Sequence, residues 1–257
     1  MKIAPARTVD KRERVHIEQG AKRIRAYLGG EVVVDTIRPV LVWEKPYYPA
    51  YYFHVADMRA ELLEEDGELA HSPSRGDART FTVRAGGMEA PGAAIRYVDS
   101  PVEELRGLVR LEWDAMDAWF EEDEQVFTHP RDPYTRVDIL PSSRHVRVEV
   151  DGVTVAESTK PTILFETGLP ARYYLPKTSV RMDLLTYTDS VSGCPYKGQA
   201  EYWSVGAGDR VHEDLAWSYR TPLPESQKIA GQVAFYNEKV DIYVEGVLQE
   251  RPKTKFS

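Results

Sequence analysis

The chain has 257 residues, 42% of them hydrophobic, a formal charge of -8 and a single cysteine. That length allows one large domain or two ordinary ones, and that composition supports packed cores. The dispersed Lys and Arg argue against wrapping nucleic acid, and one cysteine, Cys194, excludes an internal disulfide and any zinc site built from paired CxxC knuckles.

The N-terminal stretch, residues 1–21, carries charges where a signal peptide needs an apolar core, and no stretch approaches the roughly 18 apolar residues of a membrane span. A cytoplasmic protein with no membrane partner is expected. The six histidines include no HxxxH or HxH pair, so no metal or other cofactor is expected.

An internal repeat sets the organisation. Lys22 to Phe81 aligns with Arg144 to Trp203 at a constant offset of 122, with 13 identities in 60 positions. "EKPYYPAYYFH" from Glu44 thereby faces "ETGLPARYYLP" from Glu166, which aligns Tyr51 and Tyr52 with Tyr173 and Tyr174. Two copies at this period make a tandem pair and not a solenoid. The expected layout is a lead segment 1–21, a first β repeat 22–124, a Pro-rich linker 125–143, a second β repeat 144–247 and a tail 248–257.

In chain order, "RIRAYL-GG-EVVVDT" reads as a hairpin, and its partner "HVRVEV-DG-VTVAES" repeats the pattern around an Asp-Gly turn. "LRGLVRLEWDAMDAWFEED" looks helical by itself. Its counterpart "QVAFYNEKVDIYVEG" reads as a hairpin turning at Asn237 to Lys239, so two strands are assigned to both. The run Glu121 to Glu124 reads as a solvated strand end. "TILFE", "EYWSV" and "LAWSY" are further short strands, while "PKTSVRMDLL" and "PESQKIAG" open helical turns at their prolines. The expected fold is mainly β: two tandem compact antiparallel β domains with short helical turns.

Candidate chemistry gathers in the second repeat. Glu166 and Glu44 hold one strand-end position in both repeats, fitting either a general acid or base or a cap on loop amides. Arg172 is read either as a fork for an anion or as an ion pair with Glu166. In "GCPYKG", Cys194 and Lys197 make a candidate thiolate and ammonium pair, although an inert cysteine is favoured, since the first repeat has Ser72 there. Trp203, Trp217, Tyr219, Phe235 and Tyr236 read first as core, with Trp217 a candidate aromatic wall beside Tyr173 and Tyr174.

At "ETGLPARYYLP", "CPYKG", "AWSY" and "IAGQVAFYNEKVDIYVEG" the chain resembles the bacterial family known as domain of unknown function 427, which also bears a nucleotidyltransferase-like label. The resemblance runs through "HPRDPYTRVDILPSSRHVRVEVDG" and covers nearly the whole chain. It implies a β-tent similar to the Mss-four and methionine sulfoxide reductase B group, without the zinc that four cysteines hold there. The first repeat keeps Glu44, Tyr51, Tyr52 and Arg75, but has Ala50, Ser72, Ser74 and Ile95 where the second has Arg172, Cys194, Tyr196 and Trp217.

The expectation is therefore that the second repeat binds a small polar or anionic ligand through Glu166, Arg172, Tyr173, Tyr174, Lys197 and Trp217. Candidate catalytic residues are Glu166 and Cys194, with no reaction assigned. The alternatives are a non-catalytic structural or protein-interaction module and, third, a nucleotidyltransferase-like enzyme using Asp183 and Asp189.

Overall fold

The computed structural model describes residues 15–254, 256 and 257. Contacts divide the chain between Asp132 and Pro133. The first unit runs β1 (His16–Gln19), β2 (Ile24–Leu28), β3 (Glu31–Thr36), β4 (Val40–Lys45), β5 (Tyr48–His54), β6 (Leu63–Ser72), β7 (Gly76–Ala85), β8 (Met88–Arg96), β9 (Leu108–Leu111), β10 (Ala118–Glu121) and β11 (Glu124–Val126). The second runs β12 (Val137–Pro141), β13 (Val146–Val150), β14 (Val153–Ser158), β15 (Thr162–Glu166), β16 (Arg172–Tyr174), β17 (Leu185–Cys194), β18 (Gly198–Ala207), β19 (Arg210–Ser218), β20 (Val233–Phe235), β21 (Asp241–Val244) and β22 (Val247–Leu248).

The first unit has two antiparallel sheets. The larger is ordered β1-β4-β5-β9-β8-β7-β6 and the smaller β11-β10-β2-β3. The second unit repeats this order. Its small sheet is β14-β13-β21-β22, while β12-β15-β16 and β17-β18-β19-β20 meet through paired backbone hydrogen bonds of 2.8 and 2.9 Å between Leu175 and Val233. The chain is therefore mainly β, in two repeated domains with short 3-10 turns.

Local sequence explains the elements. In β2 and β13 alternate residues are buried, as a half-buried strand requires. The turns between them and their partners place Gly29 and Gly30, and Asp151 and Gly152, at φ between 48° and 78°, the left-handed pair of a two-residue hairpin. "PESQKIAG" forms the 3-10 turn Pro224–Ile229, and "PKTSVRMDLL" forms Lys177–Ser179 and Met182–Leu184.

Each large sheet is apolar on both faces at its centre. Between the sheets of the first unit lie Ile24, Val33, Phe53, Val83, Val109 and Trp119, and on the outer face Val42, Tyr52, Ile95 and Leu105. The second unit matches this with Val148, Val155, Trp203 and Phe235 inside and Leu164, Tyr174, Trp217 and Ile229 outside.

Four expectations need correction. The segments "LVRLEWDAMDAWFEED" and "VAFYNEKVDIYV" do hold two strands each, but no hairpin. β9 pairs with β5 and β8 in the large sheet, while β10 pairs with β2 and β11 in the small one. The 3-10 turn Trp113–Ala115 crosses between the sheets because Val109 and Trp119 must both face the core that separates them. The stretch 125–143 is not a bare linker, since it contributes β12, which adds a strand beside β15. Residues 15–21 of the lead segment likewise supply β1; the rest of that segment lies outside the described residues. Finally, Glu121 is not solvated: it is 5% exposed, accepts the Tyr51 hydroxyl at 2.6 Å and pairs with Lys22.

Among the described residues no helix is long and apolar enough to cross a membrane.

The sheets of the first unit also meet at a glycine contact. A Cβ on Gly86 would lie 2.1 Å from the Gly29 carbonyl oxygen, whereas one on the corresponding Gly208 would meet nothing within 4 Å. Both have positive φ, which alone costs an L side chain on the order of 1 kcal/mol. Gly86→Ala is therefore expected to destabilise its unit by about 2 kcal/mol more than Gly208→Ala destabilises the other, as read from urea midpoints; equal losses would show that the contact relaxes freely.

Candidate functional site

Strand alternation sorts the aligned tyrosines. On β16, Arg172 and Tyr174 share the outer face of the large sheet, and Tyr173 between them packs into the inter-sheet core. Five of the six expected ligand residues, Glu166, Arg172, Tyr174, Lys197 and Trp217, thus lie on the outer side, and Tyr173 is turned away from them. Its phenol is pushed upward in pKa by burial.

The five are matched to partners already. Arg172 binds both oxygens of Glu238, at 2.7 and 2.8 Å, with side chains 7% and 0% exposed. It also donates to Asn237 and lies 5.7 Å from the ring centroids of both Trp217 and Phe256. The Arg172 to Glu166 pair, one of the two readings of Arg172, does not form, because Glu166 is taken by Lys197, both side chains 10% exposed. Trp217 donates its indole N–H to Tyr174 Oη at 3.1 Å. Burial raises the Tyr174 phenol well above its ordinary range, keeping it neutral.

Cys194, half-buried, ends β17 opposite Gly198, and its carbonyl accepts from the Lys197 backbone N–H at 3.3 Å. The Lys197 ammonium binds Glu166, so the thiolate and ammonium pair considered for these residues is replaced by a carboxylate and ammonium pair.

The first repeat keeps the frame and changes the filling. Glu44 accepts Arg110 Nη1 at 2.9 Å and the Tyr52 hydroxyl at 2.5 Å, with Arg75, the counterpart of Lys197, at 3.6 Å. Arg110 extends its other arm to Glu112 at 2.6 Å. Where the second repeat has Arg172, the first has Ala50, and there a pocket of about 180 Å³ opens, lined by Glu44, Tyr48, Ala50, Arg110, Glu112, Trp113, Asp114 and His129 among others. Its aromatic side chains are held in stacks. Tyr48 lies on His129 at 3.8 Å and 10°, and Trp113 on Trp119 at 4.7 Å and 4°.

Sequence reasoning pointed to Glu44 but missed Tyr48, Arg110, Glu112, Trp113 and His129. The available signal was the contrast of Arg110 and Glu112 to Asp114, in "RLEWD", with Ala234 and Tyr236 to Glu238, in a segment read only for strand or helix. Glu238, the partner of Arg172, was hidden in the same way inside an assumed hairpin turn.

Among the described residues no group of three or more His, Cys, Asp or Glu side chains is placed to hold a metal ion.

Fold and site together define a tandem β protein whose two domains share a buried carboxylate and cation frame. The model of the family described as a domain of unknown function (DUF427), which carries the label NTP_transf_9, matches residues 16–122 and again 138–246. The chain belongs to that family, with one copy in each unit. No curated protein matches it.

Burial pushes the Glu238 carboxyl up most strongly, but hydrogen bonds from Arg172 and Thr254 outweigh it and hold the group below its usual range. Its unfolded pKa is near 4.3, so the pair's stabilisation is complete above about pH 4.3 and is lost as pH falls further, through the folded value. Glu238→Gln leaves Arg172 buried and unpaired, and is expected to cost about 3–5 kcal/mol at pH 7. The gap to wild type should narrow below about pH 4.3. Urea titrations across pH check both; a gap that does not change with pH would remove Glu238 as the titrating partner.

Proposed function

We propose that the protein is a small-molecule binding protein, that its ligand site is the pocket of the first repeat, and that the second repeat is the closed counterpart. The observation that carries this reading is the exchange at one position: Ala50 lines an opening, while Arg172 fills the equivalent place and is locked on Glu238. Concave sites lined by aromatic rings with a few convergent polar groups are the usual form of a small-molecule site.

This moves the expected ligand from the second repeat to the first. Arg172 and Lys197 were the groups that would have held an anion, and each faces a buried carboxylate instead. A ligand anion would have to displace Glu238 or Glu166 and leave it buried and unpaired, which costs several kcal/mol. No catalytic step is part of the proposal.

The test is a thermal-shift screen of a metabolite library on wild type and on Ala50→Arg. In the variant the new guanidinium is expected to reach Asp114 as Arg172 reaches Glu238, closing the pocket with the fold intact. A ligand at a hundred times its Kd should stabilise wild type by roughly 2.7 kcal/mol and leave the variant unshifted. Trp113→Ala serves as a second variant should Ala50→Arg fail to fold. A hit that shifts wild type and both variants equally would overturn the reading.

A further inference from the structure

The polarity of the first-repeat pocket names a class of ligand. Three carboxylates line it, Glu44, Glu112 and Asp114, against Arg110 and Lys45. The guanidinium of Arg110 is divided between two of them, at 2.9 Å from Glu44 and 2.6 Å from Glu112, so it offers no surplus positive charge. Lys45 is exposed at the rim. Asp114 makes no hydrogen bond or ion pair among the described residues. Glu44 is shared between Arg110 and Arg75, so these paired groups balance, and Asp114, exposed at the rim as Lys45 is, is the carboxylate that no described cation engages.

The rest of the lining is aromatic. The stacks of Tyr48 on His129 and Trp113 on Trp119 fix their rings, so a ligand pays little ordering cost to meet them. The negative face of an aromatic ring attracts a cation, most strongly for Trp and Tyr and more so when water is excluded. A neutral aromatic ligand would gain the stacking but leave the Asp114 carboxylate unengaged. An anion would meet Asp114 and Glu112 with the Arg110 guanidinium already taken. A volume of about 180 Å³ sets the size at a handful of heavy atoms.

We propose that the first-repeat pocket binds a small organic cation, a protonated amine or quaternary ammonium group, between the Tyr48 and Trp113 rings, with Asp114 and Glu112 supplying the counter-charge. This rests on the pocket reading above, and the two fail differently.

The experiment is calorimetric titration of the full chain with benzylammonium and choline, each paired with an uncharged analogue, benzyl alcohol for the first and the tert-butyl alcohol analogue for the second, and with benzoate as the anion. Each cation should bind at least about tenfold more tightly than its neutral partner, the equivalent of roughly 1.4 kcal/mol. Asp114→Asn should reduce that ratio with little effect on the neutral probe, Trp113→Ala should weaken both, and Ala50→Arg should abolish binding. Equal or tighter binding of benzyl alcohol or benzoate in the pocket would overturn the cation while leaving the pocket. Cation binding that survives Ala50→Arg and Trp113→Ala would place it elsewhere and overturn both. No measurable binding of either cation at millimolar concentration would overturn the cation proposal.

Discussion

A carboxylate at the end of a central strand, buried and forced to find a cation, is the constraint on which both repeats are built. Glu44 is the penultimate residue of β4 and Glu166 ends β15, and their side chains are 12% and 10% exposed. A carboxylate at that depth is tolerable only when paired and hydrogen-bonded. In both repeats a cation comes from the tip of the following long hairpin, Arg75 or Lys197, so the tip is tied down onto the end of a strand far from it in sequence. Tyr52 adds its hydroxyl to Glu44, and its counterpart Tyr174 turns to Trp217 instead. The frame is shared, and the third partner is free to change.

That freedom separates the two sites. Each repeat places one further arginine on the outer side of the large sheet, but on different strands. In the first it is Arg110 on β9, reaching back to Glu44 and out to Glu112, and the space over Ala50 stays open. In the second it is Arg172 on β16, where Ala234 takes the place of Arg110, and the guanidinium occupies the space and fastens on Glu238. One arginine moved between neighbouring strands distinguishes an open pocket from a filled one, with the sheets unchanged around it.

The repeat was legible because side-chain period and turn chemistry leave a direct imprint. An offset of 122 carries β2, β3, β6, β7 and β8 onto β13, β14, β17, β18 and β19 residue for residue, and the Gly-Gly and Asp-Gly pairs mark both first hairpins. The sheet crossing after β9 was not legible. Two short strands around a polar turn look the same whether they pair with each other or with different sheets, and only the common burial of Val109 and Trp119 decides. The adjacent tyrosines were found, but the strand period that puts Tyr52 and Tyr174 outside and Tyr51 and Tyr173 inside was not applied to them. The location of the pocket was hidden for another reason. A sequence shows that Arg172 faces Ala50 across the alignment, and the larger, more polar residue draws attention, although a cavity forms where the side chain is smaller.

The segments that follow the last strands complete the contrast. After β11 the chain brings His129 onto Tyr48 and Asp132 to the Trp43 indole at 2.9 Å, so this stretch forms a wall of the first pocket. After β22 the chain brings Thr254 to Glu238 at 2.6 Å and Phe256 beside Tyr236 and the Arg172 guanidinium. The same return path is a wall in one repeat and a cover in the other. The difference follows from charge: a guanidinium locked on a carboxylate in an apolar setting is favoured when rings shield it from water, so Arg172 and Phe256 support each other. In the first repeat the returning segment stacks on Tyr48, at the side of the space over Ala50. The opening there and the closure in the second repeat are thus two outcomes of where a single positive charge is placed.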